Sequence, residues 1–258
     1  MSTPSPTRVT VDITAAVARI TLTNPPLNVI DLRMTQMLAT TLADVESRAD
    51  VSVILLEGDG QSFSAGVDIK AHLPEQIHEM LTSFHAVIRA IVASRKITIA
   101  AVRGTCLGGG AELAAVCDLV YTARDAVWGF PEIKLGCYPP VATVALPALV
   151  GQKRACELIF TGRQISGEQA AAMGVANRAV EGEELGRVVQ ETLGQLQVMS
   201  ASALAYAKKS VYAWDAIHFD KGLARAEKIY LDELIHTEDA REGVAAFLEK
   251  RPPKWTGK

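Results

Sequence analysis

Short apolar runs alternate with longer amphipathic stretches along the first half of the chain, and this alternation constrains the fold most. Runs such as Val51–Leu56 and Ile97–Val102 have the length of buried strands and are too short to cross a membrane. Strands that alternate with helices are typical of an α/β protein with crossover connections. The predicted order is strands at Val9–Ile13 and Val17–Leu22, a helix capped by Asp31 and ending near Ala49, a strand at Val51–Leu56, a helix from about Pro74 to Ala93, a strand at Ile97–Val102, a glycine turn leading into a helix through Val116, and a strand at Leu119–Tyr121.

The pattern becomes wholly helical from about Ser200. Three helices are predicted, at Ala203–Ala213, Gly222–His236 and Thr237–Leu248. We therefore place a boundary near residue 198, between a core of residues 1–198 and a helical extension of residues 199–258. A chain of 258 residues that is 49% hydrophobic is long enough for one large core with such an appendage.

Composition argues against nucleic acid as the main partner. The formal net charge is −3, and aromatic residues make up only 5% of the chain, so neither a basic surface nor a base-stacking platform is indicated. The first residues, MSTPSPTR, lack an apolar signal core and are expected to form a loose tail. Four cysteines without CxxC spacing are interpreted as reduced, mostly buried thiols, which predicts a cytoplasmic protein.

The histidines do not predict a metal site. His78 and His85 are seven residues apart and can share a helix face, but no HExxH motif or Cys/His cluster accompanies them. Solvated or packing roles are the better interpretation for both. We expect no metal and no redox cofactor.

Two glutamates follow local backbone signals that are compatible with catalysis. Glu112 comes after the triplet Gly108-Gly109-Gly110, and Glu132 comes after Pro131. Glycines let backbone amides approach a ligand, and amides at a helix start can stabilise a developing oxyanion while carboxylates transfer protons. The structural alternative is that the glycines form a tight turn and that both acids favour the first turn of a helix. Asp68, after an apolar run, has the same alternative as a turn residue.

Three segments, taken in order and at family spacing, resemble the crotonase (enoyl-CoA hydratase/isomerase) family over nearly the whole chain. They are FSAGVDIK at residues 63–70, GTCLGGGAELAAVCD at residues 104–118 and FPEI at residues 130–133; the stretch from Thr237 to Pro252 is similar to the family's C-terminal helix. The resemblance implies a spiral of ββα turns with a C-terminal helical trimerisation region, assembled as a trimer or a dimer of trimers. It also implies a coenzyme A thioester as substrate, with no separate cofactor.

The resemblance also assigns roles to individual residues. The amides of Val67 and Gly109 are expected to hold the thioester oxygen, and Glu112 and Glu132 are expected to share water activation and protonation of the α-carbon. The remaining implied contacts are with the coenzyme A thioester: Ala65, Gly66, Asp68 and Gly108 by their backbone region, and Lys70, Phe247 and Lys250 near the nucleotide end. The matched pair of glutamates favours a hydratase over an isomerase of the family, which usually manages with one carboxylate. A non-catalytic RNA-binding homologue is a third, weaker alternative.

One segment departs from the family pattern. Pro140 stands in the loop after Glu132, where many of these hydratases have a glycine whose amide helps to position the glutamates or the water. Because proline has no amide hydrogen, we expect either a differently built water site or a pocket reshaped for an unusual acyl group; a neutral loop change is the alternative. The phrases NPPLNVI at residues 24–30 and EIKLGCYPPVA at residues 132–142 are similar to the cyclohexa-1,5-diene-1-carbonyl-CoA hydratases of anaerobic aromatic degradation.

Overall fold

The computed structural model describes residues 7–73, 75–212 and 215–257. The predicted loose tail at residues 1–6, the predicted helix start at Pro74 and the predicted helix end at Ala213 lie outside these residues. Within them, no helix has the combination of length and apolar character that a membrane crossing requires.

Nine strands of the described chain form two sheets. The strands are β1 Val9–Thr14, β2 Val17–Leu22, β3 Val53–Gly58, β4 Ile97–Val102, β5 Thr105–Leu107, β6 Leu119–Ala123, β7 Val127–Gly129, β8 Gln164–Ser166 and β9 Arg178–Val180. The larger sheet has the order β1-β2-β3-β4-β6-β9 and is parallel except for the β1–β2 hairpin. The smaller sheet has the order β5-β7-β8, in which β5 and β7 are parallel and β8 is antiparallel. The predicted α/β class is therefore confirmed.

Ten α-helices connect and cover these strands in the described chain. They are α1 Leu32–Ser47, α2 Ile77–Ala93, α3 Gly109–Ala115, α4 Pro140–Val150, α5 Gln152–Thr161, α6 Gly167–Met173, α7 Leu185–Gln197, α8 Ala201–Val211, α9 Asp215–Asp232 and α10 Glu238–Leu248. Two predicted caps are confirmed, since Asp31 Oδ1 accepts a hydrogen bond from the Met34 amide at 2.8 Å and Thr237 Oγ1 accepts one from the Ala240 amide at 3.1 Å.

The central strands are buried on both faces, which explains their unbroken apolar sequences. On β3, Ile54 and Leu56 belong to the main core with α1 and α2, whereas Val53 and Leu55 belong to a second core with α7. Parallel strands covered on both faces have this composition. All described cysteines are free thiols, and three of the four are buried.

The helical extension packs closely against the rest of the molecule. Helix α9 lies against α4 and α2, and α10 lies against the 3₁₀ turn at Pro131–Leu135. A Cβ on Gly243 of α10 would lie only 2.1 Å from the Leu135 carbonyl oxygen, so this contact requires a glycine. The division at residue 198 and the trimerisation role of the extension stay predictions.

Candidate active site

The first two predicted site segments lie side by side, since a parallel bridge joins Ser64 to Cys106. A parallel bridge joins Val67 to Ile30, in which the Ile30 amide donates to Gly66 O at 2.9 Å and the Asp68 amide donates to Ile30 O at 3.0 Å. The intervening Val67 amide therefore faces away from Ile30. Gly109 begins α3, and within the described ranges neither the Val67 amide nor the Gly109 amide donates to a protein acceptor. Two such amides are suited to hold one oxygen atom.

Glycine is required where these segments approach each other. Gly66 has φ 101°, and a Cβ on it would lie 2.8 Å from the Leu107 carbonyl oxygen and 3.4 Å from the Gly109 amide nitrogen. A Cβ on Gly109 would lie 2.6 Å from Val67 Cγ2. Any larger residue would push the two amides apart, so the triplet does more than form a turn.

Glu112 is fixed at the junction of two helices. It is 3% exposed, lies in the first turn of α3, and its Oε1 accepts a hydrogen bond of 2.9 Å from the Ala142 amide near the start of α4. The N-terminus of a helix favours a carboxylate through its free amides and partial positive charge. Glu112 is therefore held with one carboxylate oxygen bound and its orientation set.

Glu132 is buried without comparable support. It lies in the 3₁₀ turn at Pro131–Leu135, is 9% exposed, and its Oε2 has no hydrogen-bond partner in the described structure. Its Oε1 lies only 2.8 Å from the position of a Cβ on Gly108, so the carboxylate abuts the glycine segment. A buried carboxyl oxygen without a partner is the group expected to meet a ligand or a water molecule.

Burial shifts the pKa of both carboxyl groups upward. Burial raises the pKa of Glu112 to about 7, although hydrogen bonds from the Ala142 and Val141 amides act in the opposite direction. Burial, and then the charge of Glu112, raises the pKa of Glu132 well above its ordinary value. Glu112 therefore loses its proton before Glu132 as the pH rises.

Most of the predicted site residues line one cleft. Those that do are Ala65, Gly66, Val67, Gly108, Gly109, Glu112, Glu132 and Pro140. Asp68 instead caps a 3₁₀ turn, with its Oδ1 accepting from the Lys70 amide at 3.0 Å, and Lys70 is exposed. Phe247 and Lys250 are exposed at the end of α10, so the contacts of these four residues with coenzyme A stay predictions.

Pro140 does not disturb the support of Glu112. It is the first residue of α4, a position at which a helix needs no amide hydrogen from proline. The amide that reaches Glu112 comes from Ala142, two residues later. The expected rebuilding around a missing amide is therefore unnecessary for this carboxylate, and the buried proline ring acts as part of the cleft wall.

The sequence analysis missed several residues of the cleft wall. They are Ile69, His72, Met80, Leu81, Phe84, His85, Pro131, Leu135, Tyr138, Pro139 and Tyr230. His85 is fully buried, whereas His78 is exposed, so the two do not share an environment. The signal for His85 was its position between Phe84 and Ile88 on the apolar face of α2. Tyr230 comes from α9 and had no local signal in the sequence.

The chain matches known proteins over almost its full length. The family described as Enoyl-CoA hydratase/isomerase matches residues 12–258. The chain is 34% identical over 253 residues to a cyclohexa-1,5-dienecarbonyl-CoA hydratase of Thauera aromatica, covering 97% of each chain. It is 34% identical over 247 residues to a probable enoyl-CoA hydratase of Bacillus subtilis, covering 93% of this chain and 95% of the relative.

The fold has equally extensive counterparts. The crystal structure of an enoyl-CoA hydratase from Mycobacterium avium subsp. paratuberculosis K-10 superposes with a TM-score of 0.88 at 25% identity, covering 97% of this chain and 99% of the other. The match to the family, the two relatives and the shared fold all agree with the resemblance that the three sequence segments carry. The chain belongs to the enoyl-CoA hydratase/isomerase, or crotonase, family.

Proposed function

We propose that this protein is an acyl-CoA hydratase, which adds water to a conjugated enoyl- or dienoyl-CoA thioester. The observation that carries the proposal is the placement of two buried carboxyl groups, Glu112 and Glu132, in one cleft with the unpartnered amides of Val67 and Gly109. Hydration requires both kinds of group, because a proton must leave water and another must reach carbon while charge develops on oxygen.

The chemical step follows from this arrangement. The thioester oxygen accepts hydrogen bonds from the Val67 and Gly109 amides, which draws electrons from the conjugated double bond. The oxygen of water bonds to the electron-poor carbon as the π electrons move toward the thioester oxygen. The resulting enolate then takes a proton at its α-carbon, and the second proton of the water stays in the new hydroxyl group. Each amide donor of this kind typically contributes about 10²–10³ in rate.

The different environments of the two carboxyl groups support different roles for them. Glu112 ionises more readily because the start of α4 donates hydrogen bonds to it, so we assign it to accept the proton of the attacking water. Glu132 retains its proton more strongly because it is buried beside Glu112, so we assign it to deliver a proton to the α-carbon. Microscopic reversibility exchanges these roles in dehydration.

We propose a cyclic dienoyl thioester, cyclohexa-1,5-diene-1-carbonyl-CoA, as the specific substrate. The relative of Thauera aromatica supports this assignment. The cleft wall supports it as well, since Phe84, Tyr138, Tyr230 and the buried Pro140 line it with rings that suit a cyclic acyl group. The reaction needs no cofactor beyond the coenzyme A of the substrate itself.

Self-association as a trimer or a dimer of trimers is part of the proposal. Large apolar side chains are exposed from the end of α7 along α8, namely Val198, Met199, Tyr206 and Val211. Large exposed apolar side chains that are close in sequence support an interface between chains. We also retain a cytoplasmic location as a prediction, because four free thiols suit a reducing compartment.

A substrate panel tests the proposal. Crotonyl-CoA and cyclohexa-1,5-diene-1-carbonyl-CoA are incubated with the protein, and the loss of the conjugated double bond is followed together with the mass of the product. We expect a gain of one water molecule, with the higher kcat/KM for the cyclic thioester. Hydration of the straight-chain thioester alone would contradict the specific substrate, and migration of a double bond without water addition would indicate an isomerase instead.

A further inference from the structure

A buried histidine in the cleft is held in one orientation by a carboxylate. His85 Nδ1 lies 2.7 Å from Glu227 Oε1, and Glu227 Oε2 accepts a second hydrogen bond from Arg89 at 2.8 Å. Burial acts to raise the pKa of Glu227, but the hydrogen bonds from His85 and Arg89 outweigh it and lower the pKa to about 2. Because the ionised carboxylate only accepts, Nδ1 carries a hydrogen, and in the Nδ1–H tautomer of the ring Nε2 is an acceptor.

The Nε2 atom of His85 has no partner. It is fully buried, His85 lines the cleft, and no described residue hydrogen-bonds to this atom. Only one other side-chain atom of the cleft wall shares this condition among the described residues, namely Glu132 Oε2, which the proposed hydration already uses. A buried acceptor without a donor is destabilising, and a ligand that brings a donor removes that penalty.

The other α2 residues that line the cleft offer no hydrogen-bond donor to His85 Nε2. Its neighbours in the cleft from the same helix, Met80, Leu81 and Phe84, are apolar. The nearby hydroxyl of Tyr138 is already committed, because it donates to the Ala226 carbonyl oxygen at 2.7 Å. An acceptor beside these apolar side chains selects for a polar hydrogen at one place on a bound molecule.

We propose that His85, positioned by Glu227, determines specificity by accepting a hydrogen bond at Nε2 from a hydroxyl group on the acyl part of the thioester. This inference rests on the proposed function only in that a coenzyme A thioester occupies the cleft. The hydroxyl has two possible sources, either the group that hydration installs or a hydroxyl that the acyl group carries at another carbon. A site built to bind a hydroxyl discriminates against an analogue that lacks it, because its own polar atom is then left unpaired.

Three saturated thioesters test the inference: one lacks a hydroxyl group on the acyl chain, and the other two carry one hydroxyl at different carbons. Binding of butyryl-CoA, 3-hydroxybutyryl-CoA and 4-hydroxybutyryl-CoA is measured by calorimetry on E132Q protein, with and without H85L. We expect H85L to weaken binding of one hydroxylated thioester about tenfold relative to butyryl-CoA. Loss confined to the 3-hydroxy compound identifies the hydroxyl installed by hydration, and loss confined to the 4-hydroxy compound identifies a hydroxyl already present.

Two further variants separate recognition from packing. H85Q keeps a side-chain acceptor and should retain part of the selectivity that H85L loses. H78L makes the same change at an exposed histidine of the same helix and should leave the binding ratios unchanged. Equal weakening of all three thioesters in H85L and H85Q would overturn the inference and leave the proposed function standing. Absence of binding by all three thioesters both to E132Q and to the unsubstituted protein would overturn both.

Discussion

The two buried carboxyl groups should make the protein less stable as the pH rises, and replacing both should remove this dependence. The pKa of Glu112 is raised from 4.5 to about 7, so the folded protein holds this proton more tightly than the unfolded chain. Protonated Glu112 therefore contributes fully to the stability of the fold below pH 4.5, and this contribution is lost as the pH rises through about 7. The shift corresponds to about 3 kcal/mol, and the raised pKa of Glu132 extends the loss to higher pH.

The E112Q/E132Q variant replaces both ionisable groups with neutral amides of similar shape. Free energies of unfolding are measured by urea titration at pH 4.5 and pH 8.5, at one protein concentration. Between pH 4.5 and pH 8.5, the free energy of unfolding of the parent should fall by at least about 3 kcal/mol more than that of the variant. E79Q, at an exposed glutamate of α2, is the matched control. A variant with the same pH dependence as the parent would refute the argument that burial shifts these carboxyl groups.

Three further predictions concern catalysis and stability. E132Q alone should lower kcat for hydration by about 10²–10⁴ while thioester binding is retained, because the general acid is removed; steady-state kinetics and calorimetry check this. G109A should lower kcat about 10²–10³ by displacing an amide donor, whereas G186A, where a Cβ meets nothing within 4 Å, should leave kcat unchanged. K208M should cost roughly 3–5 kcal/mol in urea unfolding, because the buried Lys208 ammonium pairs with Asp118 at 2.8 Å; a loss below 1 kcal/mol would contradict this.

Local signals in the sequence predicted several elements of the fold well. The caps at Asp31 and Thr237 and the apolar runs of β2 and β4 depend on neighbouring residues, and all of them appear in the structure. The short strands β5, β7 and β8 were not predicted, because strands of three residues are stabilised by their partners in the sheet and carry little pattern of their own.

The site was predictable to the extent that it depends on backbone signals. The glycines beside Val67 and Glu112 are needed for close approach, and that requirement is visible in the sequence. Contributions from distant elements were not visible: the Ala142 amide that holds Glu112 and the Glu227 carboxylate that holds His85 meet their partners only through the packing of α4 and α9. The position of Pro140 at the start of α4 was likewise not visible in the sequence, and its effect on the water site stays a prediction.

The central claim is that Glu112 and Glu132 together add water to a coenzyme A thioester. The most direct measurement is the mass of the product formed from crotonyl-CoA and from cyclohexa-1,5-diene-1-carbonyl-CoA in ¹⁸O-labelled water. The account predicts one labelled oxygen in each product molecule formed by the parent protein, and no product with E112Q/E132Q. Label-free products from the parent protein, or labelled product at an undiminished rate from the double variant, would contradict it.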